Sequence, residues 1–188
     1  MRIIAGKYRG RRLKSPPLLD TRPTSDRLRE TLFNILAPRI KGARFLDLCA
    51  GSGAVGIEAL SRGAEHVVFV DQSRSMCAAI EANLEMLSVD EDEVEVVSVE
   101  ALEFLRRHAK KEAEPFDIIF FDPPYATDYA VVLDWVGEHA ARLLANEGVM
   151  IVEHHRKNHL TEEFGRLKRY RVLKQGDSCL SFYSQRAA

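Results

Sequence analysis

Apolar runs of strand length alternate with stretches of helical periodicity along most of the chain. Strands are predicted at residues 45–48, 67–71, 94–99, 117–122 and 149–153. Between them, apolar residues recur three and four positions apart, as at Met76, Ile80 and Leu84, which is typical of helices packed on a sheet. Strands that alternate with helices form a parallel, doubly wound sheet. The pattern therefore predicts an α/β fold.

Two stretches outside this alternation have their own patterns. Residues 167–173 and 179–184 flank a glycine turn with no helix between them, which predicts an antiparallel hairpin at the sheet edge. Ahead of the first predicted strand, apolar residues at helical spacing predict a helix with its N-cap at Thr24 or Ser25. This helix is expected to end before Pro38 and to pack through its apolar face.

The N-terminal segment has the pattern of a short basic hairpin. Residues 2–5 and 11–14 are strand-like and are joined by a glycine-bearing loop. Pro16 and Pro17 make a stiff linker after this hairpin. We therefore predict a hairpin and linker over residues 1–21 and a main domain over residues 22–188.

The charge distribution gives this segment a function. The formal net charge is −1, yet residues 1–40 hold ten Lys and Arg against three Asp and Glu, a balance of +7 that leaves −8 for the rest. A basic end on an acidic body is suited to bind a polyanion, although a solvated basic tail has the same composition. An aromatic ring among cations can stack on an unpaired base. The predicted nucleic-acid contacts are Lys7, Tyr8, Arg9, Arg11, Arg12, Arg22 and Arg27.

Composition narrows the class of protein further. A chain of 188 residues, 46% hydrophobic, can bury one substantial core. The sequence has no apolar run long enough for a bilayer and no signal-peptide pattern, so a cytoplasmic protein without a membrane partner is expected. We also expect a monomer. The three cysteines are odd in number and widely spaced, which favours neither a disulfide framework nor a zinc site. Adjacent His154 and His155 would point to opposite faces of a strand, so no metal site is expected there.

The stretch FLDLCAGSGAVG at residues 45–56 predicts a strand, a ligand loop and a helix start. Glycines allow the backbone to turn sharply and to approach a ligand closely. The GxGxxG spacing, with Asp71 about 20 residues on, fits a dinucleotide site. Asp47, just ahead of the glycines, would repel a pyrophosphate and favour a cationic ligand such as S-adenosylmethionine. An ordinary glycine turn is the remaining alternative.

A second stretch, FDIIFFDPPY, ends a predicted strand at the same carboxyl edge of the sheet. Two prolines lack N–H donors, so the Asp122 carboxylate and the Pro123 carbonyl form a surface of hydrogen-bond acceptors. Such a surface accepts an amino group, and Tyr125 offers a face on which a planar ring can stack. Hydrogen bonds to both NH2 protons would favour a pyramidal nitrogen with its lone pair aimed at a methyl donor. These residues predict methyl transfer to an exocyclic amino group of a base.

Three other functions fit these residues less well. A nicotinamide-dependent oxidoreductase needs a group that handles a proton beside the nicotinamide, and DPPY offers none. A non-catalytic RNA-binding module does not need intact Asp122 and Tyr125. A DNA adenine-N6 methyltransferase usually carries an added recognition domain, for which this chain has little room.

The chain resembles the RsmD family of bacterial 16S ribosomal RNA guanine-N2 methyltransferases. The resemblance rests on the basic hairpin, RPTSDRLRETLFNIL at residues 22–36, DLCAGSGAVGIEALSRGA at 47–64, DPPY at 122–125 and SFY at 181–183. It covers nearly the whole chain. DPPY is shared with other amino methyltransferases, whereas the segment that begins RPTSDR is distinctive.

The resemblance implies a fold, a cofactor and a site. The fold is α/β, a Rossmann-like seven-stranded S-adenosylmethionine-dependent methyltransferase fold with a small N-terminal β-hairpin. Catalysis is implied at Asp122, Pro123, Pro124 and Tyr125. S-adenosylmethionine is implied at Asp47, Cys49, Ala50, Gly51, Ser52, Gly53, Asp71, Gln72, Glu100, Ala101 and Asp122. Two of these positions differ from the family's usual residues, Asp71 from a Glu and Glu100 from an Asp. The implied partner is 16S ribosomal RNA within the small ribosomal subunit or its assembly intermediate.

Overall fold

A single mixed sheet forms the centre of the computed structural model, which describes residues 1–14, 25–111, 113–124 and 129–185. Its eight strands lie in the order β3-β2-β1-β4-β5-β8-β7-β6. Their bounds are β1 Arg44–Leu48, β2 His66–Asp71, β3 Val94–Ser98, β4 Phe116–Phe121, β5 Leu144–His155, β6 Glu163–Phe164, β7 Leu167–Gln175 and β8 Ser178–Gln185. The helices are α1 Asp26–Leu36, α2 Ala54–Ser61, α3 Arg74–Leu87, α4 Ala101–Lys110, α5 Tyr129–Glu138 and α6 Ala140–Leu143, with a 3-10 turn at Glu91–Glu93.

The first five strands are parallel and the last three antiparallel, so the predicted α/β fold is confirmed. The strand order reverses between β1 and β4, and the crevice at such a reversal is where open α/β sheets bind ligands. The sheet has one strand more than the seven that were predicted. The two-residue strand β6 pairs with the start of β7 and forms the eighth.

Alternation along each strand divides the core between the two faces of the sheet. Phe45 of β1 packs with the face that carries α1, α2 and α3, whereas Leu46 packs with the face of α4, α5 and α6. Both side chains are fully buried. Because the central strands are covered on both faces, they are apolar throughout rather than alternating, as parallel strands usually are.

The helix α1 begins where the sequence predicted a cap. The Ser25 hydroxyl accepts a hydrogen bond from the Leu28 backbone N–H at 3.2 Å, and this bond satisfies one of the unpaired donors of the first turn. The alternative cap, Thr24, lies outside the described residues. Leu28 and Leu32 are buried, as the apolar face predicted.

Residues 1–14 double back on themselves as a hairpin with one antiparallel bridge, between Arg2 and Arg12, rather than two strands. Ile3 and Leu13 are 2% and 7% exposed and belong to the core cluster of α1, α2 and α3. This N-terminal segment therefore shares the core of the main unit, although the predicted boundary at residue 21 lies outside the described residues. Within the described ranges, no helix is both long and apolar enough to cross a membrane.

Candidate active site

The loop between β1 and α2 turns at two glycines in the left-handed region. Gly51 has φ +53° and Gly53, the N-cap of α2, has φ +74°. A Cβ on Gly53 would lie 2.9 Å from the Ile80 side chain, whereas a Cβ on Gly51 would meet no atom within 4 Å. Gly53 is therefore required by packing. Gly51 faces open space, which leaves room for a ligand against the loop backbone.

Gly56, the third glycine of the motif, has a different role. A Cβ at this position would lie 2.2 Å from the ring of Phe69 on β2. The absence of a side chain lets α2 approach the sheet closely, which is the packing role that the third glycine has in nucleotide-binding loops. Only the first part of the motif therefore borders the open space.

Asp71, at the end of β2, determines the shape of this loop. Its Oδ2 accepts from the Gly51 N–H and its Oδ1 from the Ser73 N–H, both at 2.8 Å. The Ala50 N–H donates to the Val70 carbonyl at 3.0 Å, which continues the pairing of β1 and β2 into the loop. Each carboxylate oxygen has a second lone pair. Asp71 can therefore still accept a bond from a ligand hydroxyl.

Asp47 is a buried carboxylate at the start of the same loop. It is 2% exposed, and its Oδ2 accepts from the Gly56 N–H in the first turn of α2 at 2.8 Å. The pKa of Asp47 is raised to about 7, mainly by burial; the Gly56 hydrogen bond lowers this pKa, and the charge of Asp71 adds a smaller increase. A cation bound in the loop would favour the ionised form.

The predicted carboxylates converge on Cys49, the residue that follows β1. Cys49 is half-buried and has φ +62°, an uncommon conformation for a residue with a Cβ. Burial raises the pKa of its thiol, and the negative charges of Asp71, Asp122, Asp47 and Glu100 raise it further, in that order. Carboxylates in or just after the carboxyl ends of β1, β2, β3 and β4 thus act on one sulfur atom. The loop is therefore surrounded by negative charge.

Glu100 caps the N-terminus of α4, in addition to any contact with a ligand. Its two carboxylate oxygens accept from the N–H groups of Leu102 and Glu103 at 3.1 and 3.0 Å, so it is the N-cap of α4. Glu100 and Gln72 are exposed, and Ala101 is buried. The role of these three residues in binding the cofactor stays a prediction.

The segment after β4 lies beside the glycine loop. The Asp122 N–H donates to the Leu48 carbonyl at 3.3 Å, which extends the β1–β4 pairing by one residue. Asp122 is half-exposed, Pro123 buried and Pro124 exposed. Tyr125 lies outside the described residues. The acceptors that were predicted for an amino group are thus beside the carboxylate cluster.

Comparisons with known proteins identify the family. Residues 1–184 match the family described as Conserved hypothetical protein 95. The putative rRNA methyltransferase YlbH of Bacillus subtilis is 37% identical over 187 residues, which cover 99% of this chain and 100% of that protein. Ribosomal RNA small subunit methyltransferase D of Haemophilus influenzae is 41% identical over 128 residues, 66% of this chain and 64% of that protein.

The chain belongs to the RsmD family. A solved structure of similar fold is that of the putative methyltransferase yhhF from Escherichia coli, with a TM-score of 0.85 and 34% identity over 100% of this chain and 99% of that one. The resemblance derived from the sequence motifs is confirmed, together with the methyltransferase fold class.

In this RsmD-family chain, the N-terminal segment is attached to the helix that follows the glycine loop. The Glu58 carboxylate of α2 accepts from the N–H groups of Ile4 and Ala5 at 2.8 and 3.0 Å. Ser61, one turn further on, accepts from the Tyr8 N–H at 3.0 Å and donates to the Ala5 carbonyl at 2.5 Å. Sequence reasoning missed Glu58. The available signal was a single acid in a short helix that is otherwise apolar.

Arg29 of α1 is buried, although it does not belong to the apolar spacing of the helix. Its side chain is 1% exposed, and its Nη2 donates to the Arg2 carbonyl at 2.6 Å and to Asp26 at 2.9 Å. Its Nε lies 3.9 Å from Glu58. Burial lowers the pKa of Arg29, and Asp26 and Glu58 oppose this shift. The helix spacing did not reveal that the N-terminal segment would cover this residue.

The predicted stacking role of Tyr8 is also contradicted. Tyr8 is 7% exposed and packs in the core cluster, so its ring is not accessible to a base. The Lys7 ammonium lies 5.0 Å from the centroid of this ring. The other predicted contacts that the structure describes are exposed: Lys7, Arg9, Arg11, Arg12 and Arg27. Arg22 lies outside the described residues.

The acidic and histidine residues at the end of β5 were not expected to bind a metal. Among the described residues, no group of three or more His, Cys, Asp or Glu side chains is placed to hold a metal ion. His154 is 5% exposed and its Nε2 lies 2.9 Å from the Ser181 hydroxyl. Its pKa is lowered mainly by burial, so the ring is neutral at neutral pH. This histidine belongs to the packing between β5 and β8.

Proposed function

We propose that this RsmD-family chain transfers a methyl group from S-adenosylmethionine to the N2 amino group of a guanine in small-subunit ribosomal RNA. The observation that carries the proposal is the convergence of Asp47, Asp71, Glu100 and Asp122 around an open glycine loop. A negatively charged loop favours a ligand with an ammonium and a sulfonium over a pyrophosphate. The neighbouring acceptors after β4 fit the amino group that receives the methyl.

The residues at the loop fit S-adenosylmethionine. When bound, this cofactor supplies an electrophilic methyl group on sulfur. The open space at Gly51 gives access to the loop backbone, and the carboxylates of Asp47 and Asp71 favour its positive charges. Asp71 accepts from the Gly51 N–H of the loop, and the Ser73 N–H holds the Asp71 carboxylate in place. The proposed contacts of Cys49, Ala50, Ser52, Gly53, Gln72, Glu100 and Ala101 complete the site.

The segment from Asp122 to Tyr125 would orient the amino group. The backbone of Asp122 is tied to Leu48, so its carboxylate is presented from a fixed strand end. Hydrogen bonds from the two amino protons to this carboxylate and to the Pro123 carbonyl would aim the nitrogen lone pair at the methyl. The carboxylate would also stabilise the positive charge that develops on nitrogen. Tyr125 would stack on the base, which must be unpaired or flipped.

The name of the Haemophilus relative supports small-subunit ribosomal RNA as the substrate class. Exposed cations of the N-terminal segment and of α1 would hold its phosphates: Lys7, Arg9, Arg11, Arg12 and Arg27. The RNA is proposed to be presented within the small subunit or its assembly intermediate. A ribosomal substrate implies action in the cytoplasm, and we propose the monomer as the active form.

The test is to incubate the chain with S-adenosylmethionine carrying a labelled methyl group. Unmodified small-subunit particles, free ribosomal RNA and duplex DNA are offered in parallel, and the products are digested to nucleosides. Label in N2-methylguanosine is expected. Label in N6-methyladenine would make the chain an adenine methyltransferase, and absence of label from all three substrates would refute methyl transfer to nucleic acid.

Replacing Asp122 by alanine tests the assignment of roles. The Asp122→Ala variant is expected to lose transfer by at least about 100-fold, since a preorganised electrostatic contact at the reacting group is removed. Cofactor affinity, measured by calorimetry, should change by only a few fold. Asp134→Asn, an exposed carboxylate on α5, is the control. A large loss of cofactor affinity would instead make Asp122 a cofactor-binding residue only.

A further inference from the structure

A second basic surface lies on β7, far along the chain from the N-terminal segment. This strand, LKRYRVLKQ, contains four Lys and Arg residues and no Asp or Glu, although residues 41–188 as a whole are acidic. Tyr170 on this strand is 54% exposed. Among the described residues, β7 has a strand partner on its outer edge only at Leu167 and Lys168. The strand therefore presents cations and an accessible aromatic ring to solvent.

An irregularity in β7 places two consecutive side chains on one face. The pairing with β8 shifts between Arg169 and Arg171, so Tyr170 is the extra residue of a β-bulge. Adjacent strand residues normally point to opposite faces. Here the Tyr170 ring lies 6.2 Å from the ring of buried Phe182, and the Arg171 guanidinium lies 5.9 Å from the same ring. Bulges of this kind re-aim side chains beside functional sites.

The neighbouring residues add positive charge to this face. Lys168 pairs with Ser184, which shares a face of β8 with Phe182, so Lys168 lies on the same side as Tyr170. Arg39, just after α1, donates a 3.0 Å bond to the Glu147 carbonyl. Burial raises the pKa of Tyr170, and the nearby charges of Arg39 and Arg171 oppose this shift. We call Arg39, Lys168, Tyr170 and Arg171 the β7 patch.

Arg169 shows that not every cation of β7 belongs to this patch. Its Nη1 donates to the Leu160 carbonyl at 2.8 Å, and its Nη2 lies 3.9 Å from Glu162. It pairs with Tyr183, whose side chain packs on the opposite face of the sheet. Arg169 therefore stabilises the edge of the sheet, whereas Arg171 is exposed beside Tyr170.

We infer that the β7 patch binds an unpaired RNA segment, with a base stacked on Tyr170 and phosphates held by the surrounding cations. An exposed aromatic ring among cations is the combination that single-stranded nucleic acid requires, and the charge excludes a basic partner. Tyr8, the aromatic that the sequence offered for this role, is buried. The aromatic ring that can stack on a base is therefore Tyr170 of β7 and not Tyr8 of the N-terminal segment.

The position of α1 connects this patch to the N-terminal segment. Arg29 of α1 bonds to the Arg2 carbonyl, and Thr31 of the same helix bonds to Gln175 of β7 at 3.3 Å. The two basic surfaces therefore flank one helix on one face of the sheet, with exposed Arg27 on that helix. The inference rests on the proposed function, because it assigns a second contact to the same RNA substrate.

The test compares four variants by binding and by methyl transfer. Tyr170→Ala removes the ring, Tyr170→Phe keeps it, and Arg171→Glu reverses a charge. Arg106→Glu reverses an exposed charge on α4, on the opposite face of the sheet, and is the control. Binding of a fluorescein-labelled oligouridine is followed by anisotropy over a range of salt concentrations. Thermal unfolding and cofactor binding verify that each variant is folded.

We expect Tyr170→Ala to weaken oligouridine binding by about five-fold or more, while Tyr170→Phe stays close to wild type. Arg171→Glu should lower the slope of log Kd against log salt by about 1. With small-subunit particles, Tyr170→Ala and Arg171→Glu should raise KM and leave kcat unchanged. Arg106→Glu should match wild type in all assays.

Two results would overturn the inference. One is wild-type affinity and salt slope in both Tyr170→Ala and Arg171→Glu. The other is self-association of the wild-type chain that Tyr170→Ala abolishes without a change in RNA affinity, which would make a second copy the occupant. If the wild-type chain labels no RNA but the variants still lose oligouridine affinity, the proposed function fails and the β7 patch stands as an RNA contact.

Discussion

Replacing Glu58 by alanine is expected to destabilise the chain strongly, because this one side chain connects three parts of the fold. Its carboxylate accepts from the Ile4 and Ala5 N–H groups at 2.8 and 3.0 Å and from the Arg62 Nε at 2.7 Å. It lies 3.9 Å from the Arg29 Nε, and the Glu58 and Arg29 side chains are 0% and 1% exposed. The variant would leave a buried guanidinium without this counter-charge.

The size of the effect follows from these contacts. Removing one partner of a buried ion pair costs about 3–5 kcal/mol, and the lower end applies here because Asp26 still bonds to Arg29 at 2.9 Å. Each buried N–H left without an acceptor adds about 1–3 kcal/mol, although part of this cost is already included in the first figure. A total of about 5 kcal/mol is comparable to the whole stability of a marginal domain. The effect should therefore be far larger than that of an exposed carboxylate.

Urea unfolding followed by circular dichroism measures this loss, which should lower the midpoint by about 2 M for a typical urea dependence. Glu85→Ala, an exposed position on α3, is the control and should change stability by less than about 0.5 kcal/mol. Glu58→Gln keeps the shape of the side chain and should fold even if the alanine variant does not. In that variant, the Ile4 and Ala5 amides should exchange hydrogen faster than in wild type.

The reasoning would be refuted by a loss below about 1 kcal/mol in Glu58→Ala, since no buried ion pair would then be broken. Unchanged exchange at Ile4 and Ala5 in Glu58→Gln would show in addition that the N-terminal segment is held by other contacts. The Ser61 bonds to Tyr8 and Ala5, the Arg29 bond to the Arg2 carbonyl, and the core packing of the segment would then hold it in place.

Three further predictions concern the loop and the basic segment. Gly56→Ala should cost about 1–3 kcal/mol in urea unfolding, because its Cβ would lie 2.2 Å from the Phe69 ring; an unchanged midpoint would contradict this packing. The pKa of Asp47 is about 7 in the folded chain, against an ordinary 3.8. Between these two pH values the folded state keeps a proton that the unfolded chain has released, so the free energy of unfolding falls as pH rises. Relative to Asp47→Asn, the wild-type chain without cofactor should therefore lose about 3 kcal/mol of stability between about pH 5 and pH 8, and a constant difference would disprove the shift. The exposed pair Arg9→Glu and Arg12→Glu should weaken RNA binding and lower its salt slope by about 2, whereas equal affinity at all salt concentrations would remove the N-terminal segment from the RNA surface.

Much of the fold and of the cofactor loop could be predicted from the sequence, because the relevant signals are local. Apolar runs predicted the five parallel strands. The glycines predicted the loop, and at Gly53 the structure leaves no room for a side chain. The carboxyl ends of parallel strands meet at one edge, so the sequence alone predicts that Asp47, Asp71 and Asp122 lie near one another. Their common effect on Cys49 agrees with this expectation.

The tertiary structure alone decided which polar and aromatic side chains are buried. Arg29 and Tyr8 have the spacing of exposed residues, but the N-terminal segment folds over α1 and α2 and removes both from solvent. The lone acid of α2, Glu58, finds its partners 53 and 54 residues away along the chain. Tyr170 shares a face with Arg171 only because the pairing of β7 with β8 slips by one residue. Periodicity describes the neighbours of a residue along one element, whereas burial depends on which other element packs against it.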